Sequence, residues 1–167
     1  RKGVHAEGAI RGLTAEVWPD VAGIYQAGMD TNLATFQTDC PPYGEWNTSH
    51  VTECRLVAEQ DGKVVGWAAL SPVSSRCVYA GVAEVSVYVD PAAQGKGVGK
   101  ALMDELNRIT EQAGYWTLQS GIFDNNIPSL RLHEKSGYRI VGHRERIGKD
   151  CTGTWRNTVL MERRNGI

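Results

Sequence analysis

The sequence predicts an α/β fold, a mixed sheet of about seven strands flanked by about four helices in a single domain. Three observations carry that prediction. A β-branched strand at Glu84-Val-Ser-Val-Tyr-Val89 runs through a proline-marked turn into Gly95, Gly97 and Gly99 and then into a helical apolar pattern. Two strands, Arg55 to Gln60 and Lys63 to Leu70, flank the dipeptide Asp61-Gly62, a two-residue hairpin turn that tolerates positive φ. Segments of period-two and period-3.6 apolarity alternate along the rest of the chain, as a layered α/β domain requires.

Taken in order, Ala9 to Leu13 reads as a first strand, and Thr14 as the N-cap of a helix with Val17, Val21, Ile24 and Tyr25 on one side. Pro19 falls in the first turns of that helix, where it does least harm. Thr31 to Phe36 reads as an extended piece that lines a pocket or links elements with Phe36 pinned in the core. Cys40-Pro-Pro-Tyr43 stops regular structure, and Glu45 to Cys54 reads as a second helix.

After the hairpin, Ser71-Pro72 ends the strand. Ser74-Ser75-Arg76 form a polar break, and the central strand begins near Val82. Beyond the glycines, Val98, Leu102, Leu106, Ile109 and Ala113 recur at intervals of four and three, the apolar face of a helix ending at Gly114. Trp116 to Gly121 is a strand, Phe123 to Asn126 a turn, and Pro128 to Lys135 a short helix closed by Gly137. Tyr138 to Arg146 and Thr154 to Met161 finish as strands around a loop at Gly148 to Gly153.

Composition excludes several function classes. The chain has 167 residues, 41% hydrophobic and 22% charged, with a formal net charge of −1, so neither nucleic acid nor an anionic membrane is expected as partner. No apolar run reaches the roughly 20 residues of a membrane helix. Cys40, Cys54, Cys77 and Cys151 stand far apart without C-x-x-C spacing, and the histidines complete no metal set, so no metal is expected and a cytoplasmic location is. Residues 1–8 read as a tag remnant or loose end, 9–163 as the domain and 164–167 as a C-terminal tail.

The glycine loop carries the chemistry. Small residues let a ligand lie against the backbone, and the free N–H groups and dipole of the following helix favour an anion, most simply a phosphate or pyrophosphate. A Walker loop fails because position 94 is Gln and position 101 is Ala. A dinucleotide motif starting at Gly95 fails because position 100 is Lys.

What remains, Gln94-x-x-Gly97-x-Gly99, resembles the coenzyme A pyrophosphate loop of the GCN5-related N-acetyltransferases (GNAT). The Thr31-to-Phe36 segment, Glu84-x-Ser86-Val87-Tyr88-Val89, Asn126-x-x-Ser129, His133-Glu-Lys135-x-Gly137-Tyr138, and Lys149 followed by Trp155 are similar to its phosphinothricin and methionine sulfoximine N-acetyltransferase branch. Two departures are Asn157 where many relatives carry aspartate, and a longer late loop with Cys151-Thr152. The resemblance covers about residues 9 to 163.

The resemblance implies the GNAT fold and transfer of the acetyl group of acetyl-CoA to the amine of a small amino-acid-like substrate. Glu84 would be the general base through water, in direct attack within a ternary complex. The cofactor would lie on the backbone of Val87, Tyr88 and Val89, on Gln94, Gly95, Lys96, Gly97, Val98, Gly99 and Lys100, and on Asn126 and Ser129. The acceptor would meet Ser74, Ser75, Arg76, Glu84, Val85 and Ser86, with Arg76 taking a carboxylate or phosphinate in two parallel bonds. His133 stands where the superfamily often has a tyrosine that protonates the leaving thiolate, and Tyr79, Tyr88 and Tyr138 are other hydroxyls for that task. A homodimer is implied as well. The alternatives are a protein N-terminus, lysine or polyamine as acceptor, or a non-catalytic coenzyme A binding module.

Overall fold

The computed structural model describes residues 8–166. Seven strands form one sheet in the order β1-β2-β3-β4-β5-β7-β6. They are β1 (Gly8–Gly12), β2 (Leu56–Gln60), β3 (Lys63–Pro72), β4 (Val82–Val89), β5 (Thr117–Phe123), β6 (Arg139–Lys149) and β7 (Trp155–Arg164). The helices are α1 (Trp18–Asp30), α2 (Tyr43–Ser49), α3 (Val98–Gln112) and α4 (Ile127–Lys135). Every neighbouring pair is antiparallel except β4 and β5, which run parallel because α3 returns the chain between them.

The sheet has two cores because its strands alternate. On one face Ala83 and Val85 of β4, Leu118 and Ile122 of β5, and Val159 and Met161 of β7 pack against Leu102, Met103 and Leu106 of α3. On the other face Val57, Val64 and Trp67 meet Val21, Ile24 and Tyr25 of α1 and Trp46 of α2. Tyr88 stacks on Trp67 with ring centroids 5.1 Å apart and planes 10° apart, and Gly28 leaves room for its ring. Alternation along β4 therefore holds as read: Val85 faces the helices α3 and α4, whereas Glu84, Ser86 and Tyr88 face the other way.

Several segments differ from the sequence reading. Thr14 precedes only a single tight turn at Ala15–Val17 and makes no side-chain cap bond, so Val17 is the N-cap of α1, and β7 runs past Met161 to Arg164, which pairs with Thr117. The second helix begins after Pro42 and ends at Ser49, not at Cys54, because His50 is extended and Cys54 takes φ +62°. Thr31 to Phe36 is a turn and bends, not an extended piece, with Asn32 at φ +57°. Strand β5 continues through Phe123, which pairs with Thr158. Strand β6 continues to Lys149 by absorbing an irregularity after Arg144, with Arg146 at φ +51°.

Of the expected N-terminal remnant, residues 1–7 lie outside the described residues, and Gly8 pairs with Gln60. At the other end Asn165 is buried, donating to the Tyr115 carbonyl at 2.7 Å, so the last described residues pack on the domain. No helix among the described residues is long and apolar enough to cross a membrane.

Candidate active site

Strands β4 and β5 touch only at Val82↔Thr117, Ala83↔Leu118 and Glu84↔Gln119. Beyond Glu84 the parallel ladder stops, while β4 stays paired with β3 as far as Val89↔Gly66 and β5 stays paired with β7 as far as Phe123↔Thr158. A wedge thus opens in the middle of the sheet. One of its walls is the unpaired edge of β4 at Val87, Tyr88 and Val89, whose peptide groups lack strand partners on that side.

The glycine loop stands at the mouth of the wedge. Asp90 opens it, its carboxylate accepting from the Ala92 amide at 3.0 Å around Pro91. Gln94 is extended, and Gly95 and Gly97 take φ +77° and +83°, a left-handed conformation that only glycine adopts cheaply. Gly97 is the N-cap of α3 and its carbonyl accepts the first helical bond, from the Ala101 amide at 3.0 Å. Among the described residues no acceptor takes the amides of residues 95–100, that is Gly95, Lys96, Gly97, Val98, Gly99 and Lys100. Gly99 lies inside the first turn, where a Cβ would come within 3.1 Å of Leu132, so α3 starts tightly against α4. The Lys100 ammonium is held by Asp104 at 2.8 Å one turn on, which leaves its amide as its contribution to the loop. Consecutive free amides on a helix N-terminus, unshielded by side chains, form an anion cradle.

On the far lip, Asn126 is the N-cap of α4. Its side-chain oxygen accepts from the Ser129 amide at 3.3 Å and its amide donates to the Leu33 carbonyl at 3.0 Å. Ser129 lies one turn before His133, which is buried, donates from Nδ1 to the Ser129 carbonyl at 2.7 Å and meets Tyr138 edge-on. Burial pushes the His133 pKa down, against the pull of its bond to the Ser129 carbonyl. Of the tyrosines, Tyr138 is buried with its hydroxyl toward Asn107 and Tyr88 is packed among Trp67 and Tyr25, and burial raises both phenols. Tyr79 is exposed.

Glu84 occupies the vertex of the wedge on the face opposite α3 and α4. Its side chain reaches solvent, and partial desolvation by the surrounding walls raises its pKa while the Arg144 charge pulls it back. No local pattern marks Arg144 as a neighbour; sheet register brings it there. Gly121↔Leu160↔Gly142 and Phe123↔Thr158↔Arg144 are successive same-face rungs across β5, β7 and β6. Ser71 faces Glu84 from β3, Ser86 follows on the same face, and the Val85 side chain turns into the core. The polar loop before β4 borders this end: Ser74 accepts from the Arg76 amide at 3.1 Å, Ser75 is exposed, and the Arg76 guanidinium lies over the Tyr79 ring at 5.6 Å.

A second group sequence reading missed fixes the segment after α1 over the Phe123 end of this face. Asp150 and Arg156 form a buried pair at 3.0 Å; Asn32 donates to Asp150 at 3.1 Å and accepts from Arg156 at 2.9 Å through its carbonyl. Arg156 also reaches Asn125 at 2.9 Å and lies over the Phe123 ring at 3.9 Å, while Phe36 packs edge-on to Phe123 and fills the space left by Gly148. Hydrogen bonds from Thr152 and from Asn32, the Thr154 amide and Arg156 hold the Asp150 carboxyl well below the usual carboxylate range. Asn157 accepts from the Arg146 amide at 2.9 Å and donates to Asp124 at 3.1 Å, so it supports the irregular turn of β6.

The description "Acetyltransferase (GNAT) family" matches residues 21–138, which span both the wedge and the cradle. The chain belongs to this family. Phosphinothricin N-acetyltransferase of Alcaligenes faecalis is 33% identical over 164 residues, covering 92% of this chain and 81% of that protein. The phosphinothricin acetyltransferase of Sinorhizobium meliloti, solved in complex with acetyl-CoA, superposes with a TM-score of 0.86 at 28% identity over 96% of this chain and 89% of the other. Ribosomal-protein-alanine N-acetyltransferase from Brucella melitensis superposes with a TM-score of 0.87 at 27% identity, over 93% of this chain and 99% of the other.

This GNAT protein is an acetyl-CoA-dependent N-acetyltransferase. Its residues suit that molecule: free amides for a diphosphate and an unpaired strand edge for an arm that carries amides of its own. When bound, acetyl-CoA supplies an acetyl group activated as a thioester.

Proposed function

We propose that the acceptor is the amine of a small amino-acid-like molecule of the phosphinothricin or methionine sulfoximine type, and that Glu84 is its general base. The observation that supports this reading is a carboxylate at the vertex of the wedge, partly desolvated, open to solvent, and opposed by a cation on the same sheet face. An ammonium is mostly protonated at neutral pH and its lone pair is then closed to attack. A carboxylate with a raised pKa is a better proton acceptor than an ordinary one, so Glu84 takes the proton through water while the amine attacks directly in a ternary complex.

Around that step the chain binds and orients. The amides of residues 95–100 take the diphosphate, the edge of β4 from Val87 to Val89 pairs with the pantetheine arm, and an N–H of this strand stabilises the developing oxyanion. Asn126 and Ser129 border the arm at the start of α4. Ser74, Ser75, Arg76 and Ser86 surround the acceptor, with the Val85 backbone between.

The Brucella neighbour supports a second reading, in which a protein N-terminus is the acceptor. Release of free thiol from acetyl-CoA, scanned over amino-acid analogues, polyamines and peptides, separates the two. The proposal expects turnover with phosphinothricin or methionine sulfoximine and little with peptides; turnover with peptides alone overturns it.

A further inference from the structure

Beyond the base, the acceptor's own charge needs a partner, and the site residues suggested by the family resemblance place only Arg76 near it. The structure points elsewhere. On the face opposite α3 and α4, α1 covers the β3 and β4 side through Tyr25, Trp67 and Tyr88, and the segment after α1 closes the far end through Phe36 on Phe123. Between them lies a tray. Its middle rung is Gly121↔Leu160↔Gly142, and at both glycines a Cβ would meet no heavy atom within 4 Å.

Glu84 stands on one side of this glycine floor and Arg144, one rung further on β6, on the other. Arg144 is exposed, and among the described residues no carboxylate or carbonyl holds its guanidinium, whereas Arg139 and Arg156 are each paired with an acid. Arg76, by contrast, is laid on Tyr79. Strand register sets Arg144 and Glu84 on the same face of the sheet, and the Arg144 charge pulls the Glu84 pKa down against its burial.

A carboxylate and a guanidinium on one sheet face, separated by the Gly121, Leu160 and Gly142 rung, complement a zwitterion: ammonium toward Glu84, α-carboxylate toward Arg144. We propose that Arg144 binds the α-carboxylate of the acceptor and selects free amino acids over amines and peptide N-termini, which carry no carboxylate beside the amine. The inference rests on the amino-acid reading above and makes it specific, since a planar guanidinium can take both carboxylate oxygens in parallel.

The test compares kcat/KM for methionine sulfoximine with that for its amino-alcohol analogue, in which the carboxyl group is reduced to a hydroxymethyl. It is run on the wild type, Arg144→Gln, Arg144→Lys and Arg76→Gln, with coenzyme A affinity as the check on folding. In the wild type the acid is preferred. Arg144→Gln lowers that preference at least about tenfold, mainly through KM, and Arg144→Lys restores part of it, while Arg76→Gln lowers the preference less than Arg144→Gln does. If Arg144→Gln keeps the wild-type preference, or only Arg76→Gln abolishes it, this inference is overturned and the amino-acid reading stands. If the wild type acetylates no amino acid, both fall.

Discussion

Glu84 and Gln119 form the last rung that joins β4 to β5, and the next residue on each strand has already parted from the other. The wedge therefore begins at the residue proposed as base. Any group inserted along β4 from the glycine loop is led toward this vertex, so the proposed cofactor grip and proton removal would be set by the same pair of strands.

The cradle at the mouth depends on backbone conformation. Gly97 takes φ +83° in open space, so Gly97→Ala meets no clash but places a Cβ in the left-handed region at a cost of about 1–2 kcal/mol. Relaxation of that turn misaligns the free amides around it. Calorimetry is expected to show coenzyme A affinity falling by roughly tenfold or more, with only a small drop in Tm.

The pH dependence of turnover follows from the surroundings of Glu84. Burial raises its pKa and Arg144 opposes the rise, and the base works only when ionised. The acid limb of kcat/KM is expected above the ordinary glutamate range. Removing the opposing cation in Arg144→Gln moves that limb to still higher pH, which a pH–rate profile on an acceptor without a carboxylate measures.

The buried Asp150 and Arg156 pair ties the segment after α1 to the β6–β7 turn through Asn32. Asp150→Asn removes the charge that Arg156 needs and leaves a buried cation unpaired. Hydrogen exchange at the amides of residues 31–36 is expected to accelerate, and KM for the acceptor to rise more than KM for acetyl-CoA. Because folding depresses the pKa of Asp150, its contribution to stability is present above the unfolded value near 3.9 and is lost as pH falls below it.

Histidine sets a different pH limit. Burial depresses His133 and His50, so each contributes most stability above its unfolded pKa of about 6.5, and the contribution falls as pH drops toward the lowered folded values. Thermal melts between pH 7.5 and 5 are expected to show Tm declining. His133→Gln, which still donates a hydrogen bond but does not titrate, flattens that decline.

Much of this architecture can be read from local pattern, because it is locally caused. The Asp61-Gly62 hairpin forms with both residues at positive φ, the alternation of Glu84 to Val89 sorts one strand onto two faces, and the 95–99 glycines produce the turn their spacing predicts. What escaped the sequence has non-local causes. The Glu45 to Cys54 helix stops early because Ser49 and Trp46 satisfy the His50 ring rather than further helical turns, and Cys54 must reverse into β2. Arg144 and Glu84 are joined only through the register of three intervening pairings. Asp150 and Arg156 sit in a stretch that reads as a polar loop, and their burial is created by Asn32 and Phe36 from far along the chain.

The most direct measurement on Glu84 is kcat for Glu84→Gln across pH, paired with coenzyme A titration on the same protein. The account predicts coenzyme A affinity within about twofold of wild type and kcat lower by roughly 10²–10³, with the acid limb gone. Wild-type kcat at every pH in the variant would contradict it.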